Sequence, residues 1–237
     1  MQNEILLILN LVLIYGGVLL WYVKMGSMGL CCWTVLATIA ANIEVLILVD
    51  AFGMEQTLGN VMFASTFLVT DILSEVAGKK EANRAVNIGI ITSVAFILVS
   101  QFWLLYQPSP NDTMYDSIKA VFSNTPRVML AGLLVYAIVQ KFDVWLYHKW
   151  WEFTKNRFGD SHRFLWLRNN GSTLVSQLLN TVLFSGFAFF GIYDIPTLLE
   201  IAGMSYIIFI VTSLADTPVV YLARAYHEKQ EAKVKAE

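Results

Sequence analysis

The sequence predicts an all-α fold, a polytopic bundle of about seven transmembrane helices. Three observations predict it. Of 237 residues, 57% are hydrophobic and only 14% are charged, against about 25% charged in a soluble domain. Mean hydropathy is +0.58, and so apolar a surface is stable only where it meets hydrocarbon. Seven apolar stretches each approach the roughly 20 residues that a helix needs to cross a bilayer.

These stretches cover residues 5–23, 30–52, 58–77, 85–106, 128–147, 172–192 and 201–221. The opening MQNEILLILN has no Lys or Arg ahead of its apolar run, unlike a cleavable signal peptide, so the first stretch is expected to be a retained helix. The connections are short and without low-complexity linkers or repeats. A single integral membrane domain over residues 1–237 is the expectation.

Basic residues set the orientation. Lys24 follows the first stretch, and Lys79, Lys80 and Arg84 follow the third. Lys149, Lys155, Arg157, Arg163 and Arg168 lie between the fifth and sixth, and Arg224, Lys229, Lys233 and Lys235 follow the seventh. The alternate connections, 53–57 and 193–197, carry no Lys or Arg, and 107–125 carries only Lys119. Every other loop is basic, which predicts seven spans with the N-terminus outside and the C-terminus cytoplasmic. Residues 107–125 hold prolines and acidic residues and are expected to form an external cap or short amphipathic helix. Residues 148–168 mix aromatics with basic groups, as segments lying along the headgroup surface do. Ile195 and Pro196 are expected to start a partial turn, and the tail from His227 to be a frayed helix end.

Several function classes are excluded. The net charge of −2 gives no sign of nucleic-acid binding. Cys31 and Cys32 are adjacent inside an apolar run and read as small fillers. His148, His162 and His227 fall in charged segments, so neither a metal site nor a histidine relay is expected inside the membrane. No HExxH, GxSxG or phosphate-binding glycine loop is present, so no enzyme and no cofactor are expected. Asp71 and Asp216 are the one obvious pair for an intramembrane hydrolase, and no glycine motif flanks them.

Polar groups inside apolar runs are costly and usually face a cavity, a partner or another helix. The second stretch holds Asn42, Glu44 and Asp50, the third Thr66, Thr70, Asp71, Ser74 and Glu75. The fifth ends with Gln140 and Asp143, the sixth holds Ser176, Gln177, Asn180 and Thr181, and the seventh Ser213, Asp216 and Thr217. Asp71 and Glu75 stand at i and i+4, while Gln140 and Asp143, and Gln177 and Asn180, stand at i and i+3, so each pair shares a helix face. Converging stripes would line a polar cavity. Plainer roles compete. Asp50 is expected at the outer interface, Asp71 and Glu75 could pair with Lys79 and Lys80, and Gln177 and Asn180 could simply join helices.

Three stretches carry a resemblance. They are Phe67-Leu-Val-Thr-Asp71-Ile-Leu-Ser-Glu75-Val-Ala-Gly78-Lys-Lys80, then Trp166-Leu-Arg168 with Ser172-Thr-Leu-Val-Ser-Gln177-Leu-Leu-Asn-Thr181, and Asp216-Thr-Pro218. With Gln140-Lys-Phe-Asp143 between them, their order and spacing resemble the bacterial queuosine precursor transporters, also described as vitamin uptake transporters. The resemblance covers about Gly59 to Leu222. It implies a multi-pass protein of the bacterial inner membrane that imports 7-cyano-7-deazaguanine, 7-aminomethyl-7-deazaguanine or queuine for tRNA modification, as a secondary carrier. Many relatives have Asp where this chain has Asn180, Lys about where it has Phe209, and an aromatic where it has Ala77. An ion pair in relatives is read here as replaced by neutral groups.

A deazaguanine offers a donor pair, an acceptor carbonyl and a flat face. A carboxylate from Glu75 or Asp71 could grip the donor edge in a bidentate fork. Gln140, Gln177 and Asn180 would read the other edges, while Asp143 and Asp216 complete the cavity or bind a coupling proton. The partners expected are thus a deazapurine and the lipid bilayer. A homodimer is a further possibility, and small residues such as Gly132 and Gly186 permit close helix contacts without assigning them. The alternative is the substrate-binding component of an energy-coupling-factor transporter, which needs partner ATPases.

Overall fold

The computed structural model describes residues 2–123, 126–159 and 163–236. Thr125, at the end of the predicted external cap, and His162 lie outside the described residues. The fold is an all-α bundle with one small β-hairpin. In chain order it runs α1 (Gln2–Glu44), β1 (Leu48–Ala51), β2 (Met54–Thr57), α2 (Gly59–Val76), α3 (Lys79–Trp103), α4 (Tyr115–Ser123), α5 (Pro126–Phe158), α6 (Leu165–Phe189) and α7 (Ile195–Ala236). Five of the described helices, α1, α3, α5, α6 and α7, are long and apolar enough to cross a membrane.

α1 is folded back on itself. Gly26 takes φ 61° and ψ −145°, a left-handed backbone region that side chains rarely enter. A straight helix would separate residues 17 and 33 by about 24 Å, yet Gly17 packs on the Trp33 ring and the Trp21 and Trp33 ring centroids lie 5.4 Å apart. A Cβ on Gly29 would sit 2.2 Å from the Trp21 carbonyl oxygen, a backbone atom that cannot step aside. Gly29→Leu is therefore expected to cost at least about 3 kcal/mol, the upper range for overpacking, read as a large fall in the melting temperature of the solubilised protein.

α2 is the hub. Every residue from Ala64 to Ser74 is buried, so this helix is enclosed all round. Lipid gives no hydrophobic drive for helix association, and small or hydroxylated residues let helices approach closely. α2 supplies Ala64, Ser65, Thr66, Thr70 and Ser74. The hydroxyls of Ser65 and Thr66 donate to carbonyls of their own helix, which leaves their oxygens free to accept from other helices. Leu68, Val69, Ile72 and Leu73 of α2 pack with Ile14, Val18 and Leu30 of α1, Ala85 and Val86 of α3, and Val220 and Ala223 of α7. Aromatic tips find acceptors across helices: Tyr15 donates to the Thr212 carbonyl at 3.1 Å and Trp33 to the Ser65 hydroxyl at 3.0 Å. The outer faces are apolar. Leu13 is 71% exposed and Ile91 69%, as suits a surface in hydrocarbon.

The structure corrects several sequence expectations. The second stretch, predicted over 30–52, ends its helix at Glu44, and Leu48–Ala51 pairs antiparallel with Met54–Thr57. An apolar run reads the same as strand or helix, and the Phe52–Gly53 turn, with φ of 55° and 72°, closes a hairpin of the two-residue kind. Asp50 thus sits on a strand, and its carbonyl accepts from Asn3 at 2.8 Å. The segment expected between the fifth and sixth stretches is largely helical: α5 continues to Phe158, and α6 already starts at Leu165. The tail is helical through Ala236 rather than frayed, and Ile195 opens α7 itself. The short amphipathic helix expected in 107–125 is α4. Asp112 Oδ1 caps it by accepting from the Met114 and Tyr115 amides at 2.9 and 2.6 Å, and Phe122 anchors it against Phe96 and Trp103.

Candidate functional site

The polar side chains stack in layers along the bundle, from the hairpin end to the end marked by Lys79. At the hairpin end lies a cavity of about 310 Å³, bounded by α1, the hairpin, α2, α5, α6 and α7. Its walls are aromatic: Phe63, Tyr136, Phe184, Phe189 and Phe209. Phe63 stands edge-on to Tyr136 and tilted to Phe209, each at a centroid distance of 6.2 Å. Amides interrupt the rings, from Asn42, Gln56, Asn60 and Asn180, and Glu55 brings a carboxylate from the hairpin. The Tyr136 hydroxyl and the Asn60 amide nitrogen have no hydrogen-bond partner among the described residues. Both Asn180 and Phe209, the positions where the resemblance places Asp and Lys in relatives, line this cavity.

Below it, Gln140 straps α5 to α2. Its Nε2 donates to Thr66 Oγ1 at 2.6 Å, and its Oε1 accepts from Thr70 Oγ1 at 3.2 Å. Gln177 is buried near the same level, with its Oε1 unpartnered.

The next layer is acidic. Asp71, Asp143 and Asp216 are each at most 1% exposed. Asp71 Oδ2 accepts from Thr173 Oγ1 at 2.9 Å, and Asp216 Oδ1 from Asn169 Nδ2 at 2.7 Å. Ser176 lies beside Asp143, yet neither its hydroxyl nor either Asp143 oxygen completes a hydrogen bond. Among the described residues no cluster of three acidic, histidine or cysteine side chains is arranged to hold a metal ion.

The last layer is an ion network. Glu75 Oε1 accepts from Arg168 Nη2 at 2.5 Å, while Oε2 accepts from Arg168 Nε at 2.9 Å and from the Tyr147 hydroxyl at 2.7 Å. Arg224 reaches Glu75 at 3.2 Å and also pairs with Glu228 at 2.8 Å. Arg168 is wholly buried and lies over the Trp151 ring, 4.4 Å from its centroid. Two arginines and two glutamates leave the network neutral overall. Beyond it is a second hollow, of about 330 Å³, lined by Glu75, His148, Trp151 and Lys155 among others. The network thus stands between two hollows.

The structure distributes the seven sequence-predicted residues along this axis. Asn180 lines the cavity, Gln140 and Gln177 lie beneath it, Asp71, Asp143 and Asp216 form the acidic layer, and Glu75 holds the network. Glu75 meets Arg168 and Arg224 rather than Lys79 or Lys80. The carboxylate-to-guanidine fork expected for a bound base is made here by Arg168. Sequence reasoning missed Arg168 and Arg224 as site residues by reading them as loop cations. The signal available was the polar stripe of the sixth stretch, which continues backward through Thr173 and Asn169 to Arg168. It also missed the aromatic wall, for which no local signal exists.

The bundle, with five long apolar helices around a cavity and a buried polar axis, has the make-up of a multi-pass membrane protein. The comparisons make it specific. A family model described as "Putative vitamin uptake transporter" matches residues 57–223. A protein of Bacillus subtilis (strain 168) named "Probable queuosine precursor transporter" is 40% identical over 207 residues, covering 87% of this chain and 88% of the relative. No solved structure matches the chain. The chain belongs to this vitamin uptake transporter family, the one its motifs resemble, and is a transporter rather than an enzyme.

Proposed function

We propose that this chain imports queuosine precursors, the deazaguanines 7-cyano-7-deazaguanine, 7-aminomethyl-7-deazaguanine or queuine, across the bacterial inner membrane. The observation that carries this reading is the aromatic cavity set with side-chain amides, separated from the second hollow by the acidic layer and the Glu75 network. Its volume, about 310 Å³, falls at the small end of the roughly 300–1,000 Å³ typical of small-molecule sites. A flat base would slot between Phe63, Phe184 and Phe209, where ring contacts are worth about 0.5–1.5 kcal/mol each. The side-chain amides of Asn180 and Asn60, which line the cavity, would meet its polar edges. Glu55, at the mouth, offers a bidentate acceptor for the donor edge.

Counting α1 as two crossings and α2 as one, the chain would cross the membrane seven times, with the hairpin end outside and the Lys79 end cytoplasmic. The structure would then be the outward-facing member of an alternating cycle. Release of the base inward would require the Glu75 network to part and join the cavity to the second hollow.

Titration calorimetry of the solubilised protein with each deazaguanine tests the reading. Saturable binding of at least one is expected, and absence of binding by all three from a folded preparation contradicts it.

A further inference from the structure

We propose that the layer of Asp71, Asp143 and Asp216 is a proton-binding site that couples import to inward proton movement. The inference rests on the reading of the cavity as the cargo site and adds what drives the cargo. None of the three carboxylates lines that cavity. They lie deeper, between the cavity and the Glu75 network.

A count of donors and acceptors carries the argument. The unpartnered buried atoms at and next to this layer include Asp71 Oδ1, both Asp143 oxygens, Asn169 Oδ1 and Gln177 Oε1, all acceptors if the carboxylates are ionised. Only the Ser74 and Ser176 hydroxyls stand unpartnered as donors beside them. A buried acceptor without a donor costs about 1–3 kcal/mol, more if charged. Protonation turns a carboxylate oxygen into a donor and supplies what the layer lacks. A metal ion does not fit the need, since the described side chains do not converge as a ligand set.

The other ionisable groups facing the layer leave it uncompensated. α1 contributes Tyr15, which donates to the Thr212 carbonyl. α2 contributes Glu75 and α5 Tyr147, which bond each other. α6 and α7 contribute Arg168 and Arg224, both turned to Glu75. The charged groups of α3, Lys79 to Arg84, stand at its start. Three ionised carboxylates in one dry layer would repel one another with no cation of their own, an arrangement worth several kcal/mol of penalty per ion. Parting of the Glu75 network would expose the layer to the inner hollow, where a proton can leave after the base.

Two measurements test this. Infrared absorption of the protein in lipid at neutral pH is expected to show the carbonyl stretch of protonated carboxyl groups, diminished in Asp143→Asn. Absence of that band in the wild type overturns the assignment, whatever the cargo. In liposomes, 7-cyano-7-deazaguanine added outside is expected to acidify the lumen, and an acidic exterior to raise its accumulation about tenfold. Asp143→Asn is expected to lose both effects and Asp143→Glu to recover them in part. Counterflow exchange by the wild type separates the two readings. Exchange without proton movement overturns the coupling and keeps the cargo. A carboxyl band that shifts with external pH, without exchange of any of the three deazaguanines, keeps the proton site and overturns the cargo.

Discussion

Glu75→Gln is expected to abolish uptake and to lower stability by about 3–5 kcal/mol, the usual cost of breaking one side of a buried ion pair. The magnitude follows from burial: the Arg168 and Glu75 side chains are 0% and 3% exposed, and the variant leaves a guanidinium in a dry site with no carboxylate. Arg224 does not compensate, because it is itself a cation. Removing both partners costs less than removing one, so Glu75→Gln with Arg168→Met is expected to melt well above the single variant while uptake stays impaired. A double-mutant cycle on melting temperature checks the pairing, and a coupling near zero contradicts it. Lys79→Gln serves as the control. It is expected to leave stability within about 0.5 kcal/mol, as surface changes usually do, because Glu75 is held by arginines and not by that lysine.

The second large effect is expected at Asn180. Asn180→Phe puts a ring into a cavity of about 310 Å³ and removes an amide from the proposed base edge. Binding is expected to fall at least a hundredfold, about 2.7 kcal/mol. The fold should survive, since position 180 lines the cavity, which can take up the ring. Calorimetry together with a melting curve separates the two. Wild-type affinity in this variant contradicts the placement of the base. Asn180→Ala, which opens the cavity instead, is expected to lose only about tenfold, the worth of one hydrogen bond of roughly 1.5 kcal/mol.

The helices were legible because a bilayer demands long apolar runs, and such runs announce themselves. The polar axis was legible for a related reason. Asp71, Asp143, Gln177 and Asp216 stand out against apolar neighbours, and each is buried facing other helices. What was not legible depends on contacts between distant segments. Leu48–Ala51 pairs with Met54–Thr57 and meets Asn3, while in isolation the apolar residues 48–52 continue the second stretch. Arg168 reads as one more loop cation until α6 is seen to begin at Leu165 and carry it into the core. Phe63, Tyr136, Phe184 and Phe209 come from different helices, and any one of them resembles a lipid-facing aromatic. The partner of Glu75 was likewise hidden, because Arg168 is 93 residues away while Lys79 and Lys80 follow almost at once.

Import of deazaguanines is tested most directly by queuosine in the tRNA of a host that can neither make nor import the precursors but retains the enzymes that use them. Cells expressing this chain in the membrane would receive each deazaguanine separately. Queuosine is expected to return with at least one of them and to be lost again in Glu75→Gln. No queuosine with any of the three, from a chain shown to be folded in the membrane, would contradict the deazaguanine reading.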